Sequence, residues 1–106
     1  MADILVNKQQ WDSLSEEEQN KIVKGLSGTG AIKIGDRVIG DPNVPPFDEN
    51  TQLEPMWNPI KDLCKAACDA AAAAGAAWCT ANTAGVVLAA CLAATEAARR
   101  ECRNRC

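Results

Sequence analysis

Several residue types that commonly carry chemistry are absent or scarce in this chain. It has no histidine, no tyrosine, a single phenylalanine (Phe47), and serine only at positions 13, 15 and 27. Without histidine, the chain lacks the side chain used most often as a general base and as a metal ligand. The segment "GLSGTG" also lacks the lysine and the preceding strand of a phosphate-binding loop. These absences predict a non-enzymatic protein that needs no cofactor and no metal.

Features of common targeting and nucleic-acid-binding sequences are missing as well. The start "MADILVNKQQ" has neither the basic region nor the long apolar region of a Sec-type signal peptide. The net charge of −3 predicts no nucleic-acid partner. No uninterrupted twenty-residue apolar run is present, so ordinary transmembrane helices are not expected.

Cysteine, in contrast, is abundant and confined to one region. All six cysteines lie in "CKAACDAAAAAGAAWCTANTAGVVLAACLAATEAARRECRNRC", and their positions are symmetric about Gly85. At ~100° per residue, the intervals of four and eleven residues keep the three thiols of each half on one helical stripe. An antiparallel helical hairpin that turns at Gly85 therefore predicts three disulfides: Cys64–Cys106, Cys68–Cys102 and Cys79–Cys91.

Two other interpretations of the cysteines stay open. The six thiols could be buried and reduced. Alternatively, the two Cys-x-x-x-Cys pairs could bring four thiols together for Zn or Cu(I), which leaves Cys79 and Cys91 without a role. Disulfides imply a protein exported or secreted without a Sec-type signal, whereas reduced thiols imply the cytoplasm.

The first part of the chain predicts a small αβ unit over residues 1–41. Residues 4–6 form a strand or a packed arm, Asn7 caps a helical turn, and Ser15 with Glu18 makes a capping box. In "AIKIGDRVIGDP", two β-branched runs flank Gly35-Asp36, which predicts a β-hairpin. Its residues expected to face the helix are Ile32, Ile34, Val38 and Ile39.

The rest of the chain divides into a linker and a helical pair. Residues 42–58 are proline-rich and predict a linker. Residues 59–106 predict the hairpin, with helices over about 59–80 and 86–104. Its alanine-rich helices are apolar on all sides, so the N-terminal unit, a second copy or a bilayer is expected to cover them. The predicted fold class is mainly α: a disulfide-stapled antiparallel helical hairpin with a small N-terminal helix/β-hairpin unit.

Charge is distributed unevenly along the sequence. Residues 1–59 carry five basic and ten acidic side chains, whereas residues 60–106 carry six basic and four acidic ones. Part of the positive charge at the C-terminus suits the end of a helix. The same arginines are candidates for contact with a membrane or another anionic surface: Arg99, Arg100, Arg103 and Arg105.

Two resemblances accompany these patterns. The motifs "CKAAC" and "CRNRC" resemble the twin Cys-x-x-x-Cys pattern of small intermembrane-space chaperones, which implies a stapled helical hairpin. The order of an acidic, leader-like half and a cationic, Ala/Gly/Cys-rich half resembles precursors of cysteine-rich bacteriocins. The second resemblance implies that processing or export machinery recognises residues 1–55.

The leading hypothesis is a non-enzymatic, bacteriocin-like precursor or secreted small protein. Its stapled hairpin would act on a membrane or another target once the N-terminal part is removed. One alternative is a disulfide-stabilised protein-interaction module, with a partner protein or a second copy as the ligand. The other is a cytosolic Zn- or Cu(I)-binding hairpin.

Overall fold

The computed structural model of the protein describes residues 3–46 and 63–105. It confirms a mainly helical fold with a pair of packed C-terminal helices and a small N-terminal strand-and-helix unit. The elements in chain order are β1 (Asp3–Asn7), α1 (Lys8–Asp12), α2 (Glu16–Thr29), β2 (Arg37–Asp41), α3 (Leu63–Asn82) and α4 (Gly85–Asn104).

Local capping signals position the first two helices as predicted. The Asn7 side chain accepts a hydrogen bond from the Gln10 backbone nitrogen over 3.0 Å and so caps α1. Ser15 and Glu18 form both hydrogen bonds of the capping box at the start of α2. The helix ends at Gly30, whose φ of 85° is a left-handed conformation that glycine adopts without steric cost.

The sheet differs from the predicted β-hairpin. Residues 31–36 form a turn in which the Asp36 nitrogen donates to the Lys33 oxygen over 3.0 Å, so the first strand of the predicted hairpin does not form there. β2 instead pairs in parallel with β1, with Ile4 opposite Val38 and α1 and α2 as the crossover. The prediction was wrong because the partner of β2 lies more than thirty residues earlier, beyond the range of a local hairpin signal.

This pairing decides which of the predicted residues face the helices. Ile32 is buried, and Val38 packs against the core. Ile34 lies in the turn and is 94% exposed, so its predicted place against the helix is wrong. β1 supplies the missing apolar surface, since Ile4 and Val6 are buried on one side of the strand.

The hairpin follows the predicted register closely. α3 and α4 are joined by Thr83 and Ala84, and Gly85 begins α4 with a φ of 61°. Gly75 lies where the helices approach each other closely, because a Cβ there would be 3.1 Å from Cγ2 of Thr95. The predicted start of the first helix at Pro59, and most of the proline-rich linker 42–58, lie outside the described residues.

Candidate functional site

Two disulfides join α3 to α4. Cys68–Cys102 and Cys79–Cys91 each hold their Cα atoms 5.8 Å apart, within the usual range for this bond. Both are pairs that the symmetry about Gly85 predicts. The predicted third pair, Cys64–Cys106, includes a residue outside the described part of the chain.

The two disulfides lie in different surroundings. Cys79 and Cys91 are both fully buried near the turn, in the core that the hairpin shares with the N-terminal unit. Thr95 packs beside them, with its Oγ1 3.6 Å from the Cys79 sulfur, and donates to the Cys91 carbonyl over 2.9 Å. Towards the open end of the hairpin, Cys68 is buried but Cys102 is only half-buried.

The N-terminal unit covers one face of the hairpin. α4 contributes four alanines and Cys91 to the buried core, and Val87, Leu88 and Leu92 pack against it. This contact forms one continuous core from side chains of both parts: Ile4, Val6, Trp11, Leu14, Ile22, Leu26 and Ile32 from the N-terminal unit, with Cys79, Ala90, Cys91, Ala93, Ala94 and Ala98 from the hairpin. The apolar helices were expected to be covered by the N-terminal unit, a second copy or a bilayer, and the N-terminal unit covers one face of them.

Close packing at two glycines brings α2 against α3. The Trp78 ring lies over Gly25, so near that a Cβ on Gly25 would be 2.1 Å from a ring carbon. A Cβ on Gly75 would be 2.7 Å from Cβ of Ala31 and 3.2 Å from Cδ2 of Leu26. These positions admit only a hydrogen, so they fix how the N-terminal unit sits on the hairpin.

A cluster of charged side chains is buried between α3 and α4. Arg99 donates to both carboxylate oxygens of Glu96, over 3.0 and 2.5 Å, and to Oδ1 of Asp69 over 3.2 Å. Arg103 donates to the other Asp69 oxygen over 2.7 Å. Every buried polar side-chain atom among the described residues has a hydrogen-bond partner, which is the condition under which buried charges are tolerated.

The charge state of Arg99 follows from this geometry. Its hydrogen bonds to Glu96 raise the pKa of the guanidinium above its ordinary value, burial lowers it, and the charge of Glu96 and the contact with Asp69 raise it further. Because the net shift is upward, the stabilisation from this group is complete at neutral pH. It is lost only as strongly alkaline pH passes through the raised pKa.

The structure separates the four arginines that were predicted to contact a membrane or an anion. Arg99 is buried and ion-paired, so its predicted surface role does not hold in the folded chain. Arg103 is partly buried against Asp69. Arg100 is exposed and pairs with the buried Glu96, four residues earlier. Arg105 forms a half-exposed pair with Glu101, also four residues earlier.

The sequence contained a signal for the buried cluster that the prediction did not use. In the register symmetric about Gly85, Asp69 lies opposite residue 101, so Arg99 and Arg103 are equally far from it on α4. Glu96 lies three residues before Arg99, on the same helical face. Because the arginines lie near the end of the predicted helix, where cationic side chains are normally solvated, the sequence predicts them at the surface.

A pocket of about 290 Å³ opens at the end of the hairpin away from the turn. Its lining includes the Cys68–Cys102 disulfide and Cys64 together with apolar residues, and charged residues of both signs stand at its edge. The apolar lining residues are Ile4, Ala31, Ala67, Ala71 and Ala98, and the charged ones are Lys33, Asp36, Glu101 and Arg105.

Neither a metal-binding group nor a bilayer-spanning helix is found within residues 3–46 and 63–105. Of the four thiols that the alternative interpretation offers to Zn or Cu(I), Cys68 and Cys102 are joined to each other in a disulfide. No protein-family model matches the chain, and neither the curated proteins nor the solved structures contain a significant match.

Proposed function

We propose that the chain is a non-enzymatic, cysteine-rich precursor of the bacteriocin type. The stapled helical hairpin is the part that acts, on an anionic membrane surface. The N-terminal unit is its cover, and residues 1–55 also carry the features that processing or export machinery recognises.

The observation that carries this proposal is the location of the disulfides. They join the two helices of the hairpin to each other, and none joins the hairpin to the N-terminal unit. The disulfides lie within the hairpin, and residues 1–63 contain no cysteine. One cut in the segment 47–58 would therefore leave the hairpin covalently intact while the cover is held by non-covalent contacts alone. Such an arrangement suits a protein that is activated by cleavage.

The composition of the covered face supports the same proposal. Loss of the cover would expose an apolar strip around Cys79, Ala90 and Ala94 on a hairpin that its disulfides keep rigid. The exposed arginines Arg100 and Arg105 lie at the other end of the hairpin. An apolar face with cationic side chains beside it is the combination that binds anionic lipid surfaces.

The disulfides also bear on where the protein works. They are typical of oxidising compartments outside the cytosol. We therefore infer a protein that is exported or secreted, by a route that does not need a Sec-type signal.

The test uses the full oxidised chain with a protease site placed within residues 47–58. Cleaved and uncleaved protein are mixed with vesicles of anionic phospholipid and with neutral vesicles. We expect the cleaved protein to bind the anionic vesicles at least about tenfold more tightly, since burial of the exposed face adds to charge attraction. A chain without the site, treated with the same protease, is the control for the enzyme.

A variant that weakens the cover tests the proposal without cleavage. Ile22→Asp places a charge in the shared core, so the uncut chain should bind anionic vesicles better than the wild type. Asn20→Asp, at an exposed position of the same helix, is the matched control. If cleaved protein and Ile22→Asp both fail to bind either kind of vesicle, the proposed function is wrong.

The second candidate is a disulfide-stabilised interaction module in which the two parts never separate. The tight fit of Trp78 over Gly25, and of Ala31 and Leu26 against Gly75, favours it. Size-exclusion chromatography after cleavage distinguishes the two functions. Fragments that remain together in the presence of anionic vesicles favour the module, and fragments that separate favour the precursor.

A further inference from the structure

We propose that the Cys68–Cys102 disulfide is a site of thiol–disulfide exchange, which a small thiol opens through the pocket while Cys79–Cys91 stays closed. The redox state of this bond would then change how the two helices are held together beside the pocket. This inference concerns the bonds themselves, so it stands or falls independently of the proposed membrane activity.

The first observation is the contrast in burial between the two bonds. Cys79 and Cys91 have no exposed surface, and both belong to the core shared with the N-terminal unit. Cys102 is half-buried, and it lines the pocket together with Cys68. Because exchange requires a thiolate to reach a sulfur, Cys68–Cys102 is the more accessible of these two bonds while the chain stays folded.

The second observation is the pocket itself. Its volume of about 290 Å³ is enough for a small organic thiol but not for a folded protein domain. Arg105 and Lys33 stand at its edge and favour the approach of an anionic thiolate. Glu101, which pairs with Arg105 over 3.4 Å, and Asp36 share that edge and offset part of the attraction.

The exchange proceeds in two balanced steps. A thiolate attacks the Cys102 sulfur, because Cys68 is 3% exposed, and forms a mixed disulfide while Cys68 leaves as a thiolate and takes up a proton. A second thiol attacks the mixed disulfide, releases the oxidised small-molecule disulfide and leaves Cys102 reduced. The two small thiols supply the two electrons.

The buried ion cluster lies next to this bond, which gives the exchange a structural consequence. Asp69 follows Cys68 and Arg103 follows Cys102, so their ion pair bridges α3 and α4 at the same height as the disulfide. After reduction, this ion pair still bridges the helices near the pocket, and Cys79–Cys91 still closes the turn. Oxidised and reduced chains would therefore differ at the end that carries the pocket and the exposed arginines.

The test measures the order in which the bonds open in the native full-length protein. The oxidised chain is exposed to dithiothreitol without denaturant, free thiols are blocked with N-ethylmaleimide at intervals, and the labelled cysteines are identified by peptide mapping. We expect Cys68 and Cys102 to be labelled at least about tenfold faster than Cys79 and Cys91. In denaturant the difference should disappear, since burial causes it.

A variant at the pocket separates access from general stability. Ala71→Leu adds a side chain to the lining and should slow labelling of Cys68 and Cys102, whereas Ala74→Leu on the exposed side of the same helix should not. If Ala71→Leu does not fold, the order of labelling in the wild type still decides. Equal rates for the two bonds in the native protein, or faster opening of Cys79–Cys91, would overturn the proposal.

Discussion

Arg99 of α4 and Asp69 of α3 meet between the helices of the hairpin, with Nη1 and Oδ1 3.2 Å apart and neither side chain more than 5% exposed. Each charge depends on its partners, because removing one member of a buried ion pair leaves the other as an uncompensated buried charge. The alanine-rich helices are thus aligned by a specific ion pair in addition to the disulfides.

Removing the Asp69 charge should therefore be costly. Asp69→Asn keeps the shape of the side chain but leaves Arg99 and Arg103 without this carboxylate, and we expect the free energy of unfolding to fall by about 3 kcal/mol. Denaturant unfolding of the oxidised protein measures it. Glu101→Gln, which removes a half-exposed pair, should cost about 1 kcal/mol or less. Equal losses in the two variants would show that the buried cluster contributes no more than a surface pair.

Neighbouring residues of β1 provide a test of the parallel sheet. Ile4 is 2% exposed and belongs to the core, whereas Leu5 is 44% exposed on the other side of the strand. Ile4→Ala should cost about 2–5 kcal/mol through the cavity it leaves, and Leu5→Ala about 1 kcal/mol or less. The free energies come from denaturant unfolding. A similar cost for both would place the strand in another orientation.

Two glycines of α2 test the contact with Trp78. Gly25→Ala places a methyl group where the Trp78 ring lies, whereas Gly28→Ala points into open space. We expect the first to destabilise the protein by about 1–3 kcal/mol and to change tryptophan fluorescence. The second should be neutral or should stabilise the helix by about 0.5–1 kcal/mol. A stable Gly25→Ala variant with unchanged fluorescence would contradict the packing of α2 on α3.

The helical parts of the fold were predictable because their signals are local or repeat at the helical period. The box of Ser15 and Glu18 marks a helix start within four residues. The cysteines lie at intervals that only one antiparallel register satisfies, so the contact between distant helices could be read from spacing.

The sheet and the charge cluster were not predicted, for a different reason in each case. The run ending at Ile34 has the composition of a strand, but its neighbours decide otherwise: Gly30 turns the chain, and the Ile32 nitrogen donates to the Leu26 oxygen. β2 pairs with β1 after a crossover through two helices, and the composition of a strand does not indicate so distant a partner. To predict the burial of Arg99, the hairpin register has to be applied to the charged residues as well as to the cysteines.

The central claim is that the disulfides lie within the hairpin and join its helices at matching heights, so that no disulfide ties the N-terminal unit to the hairpin. Non-reducing peptide mapping of the oxidised protein, with intact mass before and after reduction, tests it most directly. We expect linked peptides that contain Cys68 with Cys102 and Cys79 with Cys91. Links from Cys64 to Cys68 or from Cys102 to Cys106, or reduced thiols together with the mass of a bound metal, would contradict the account.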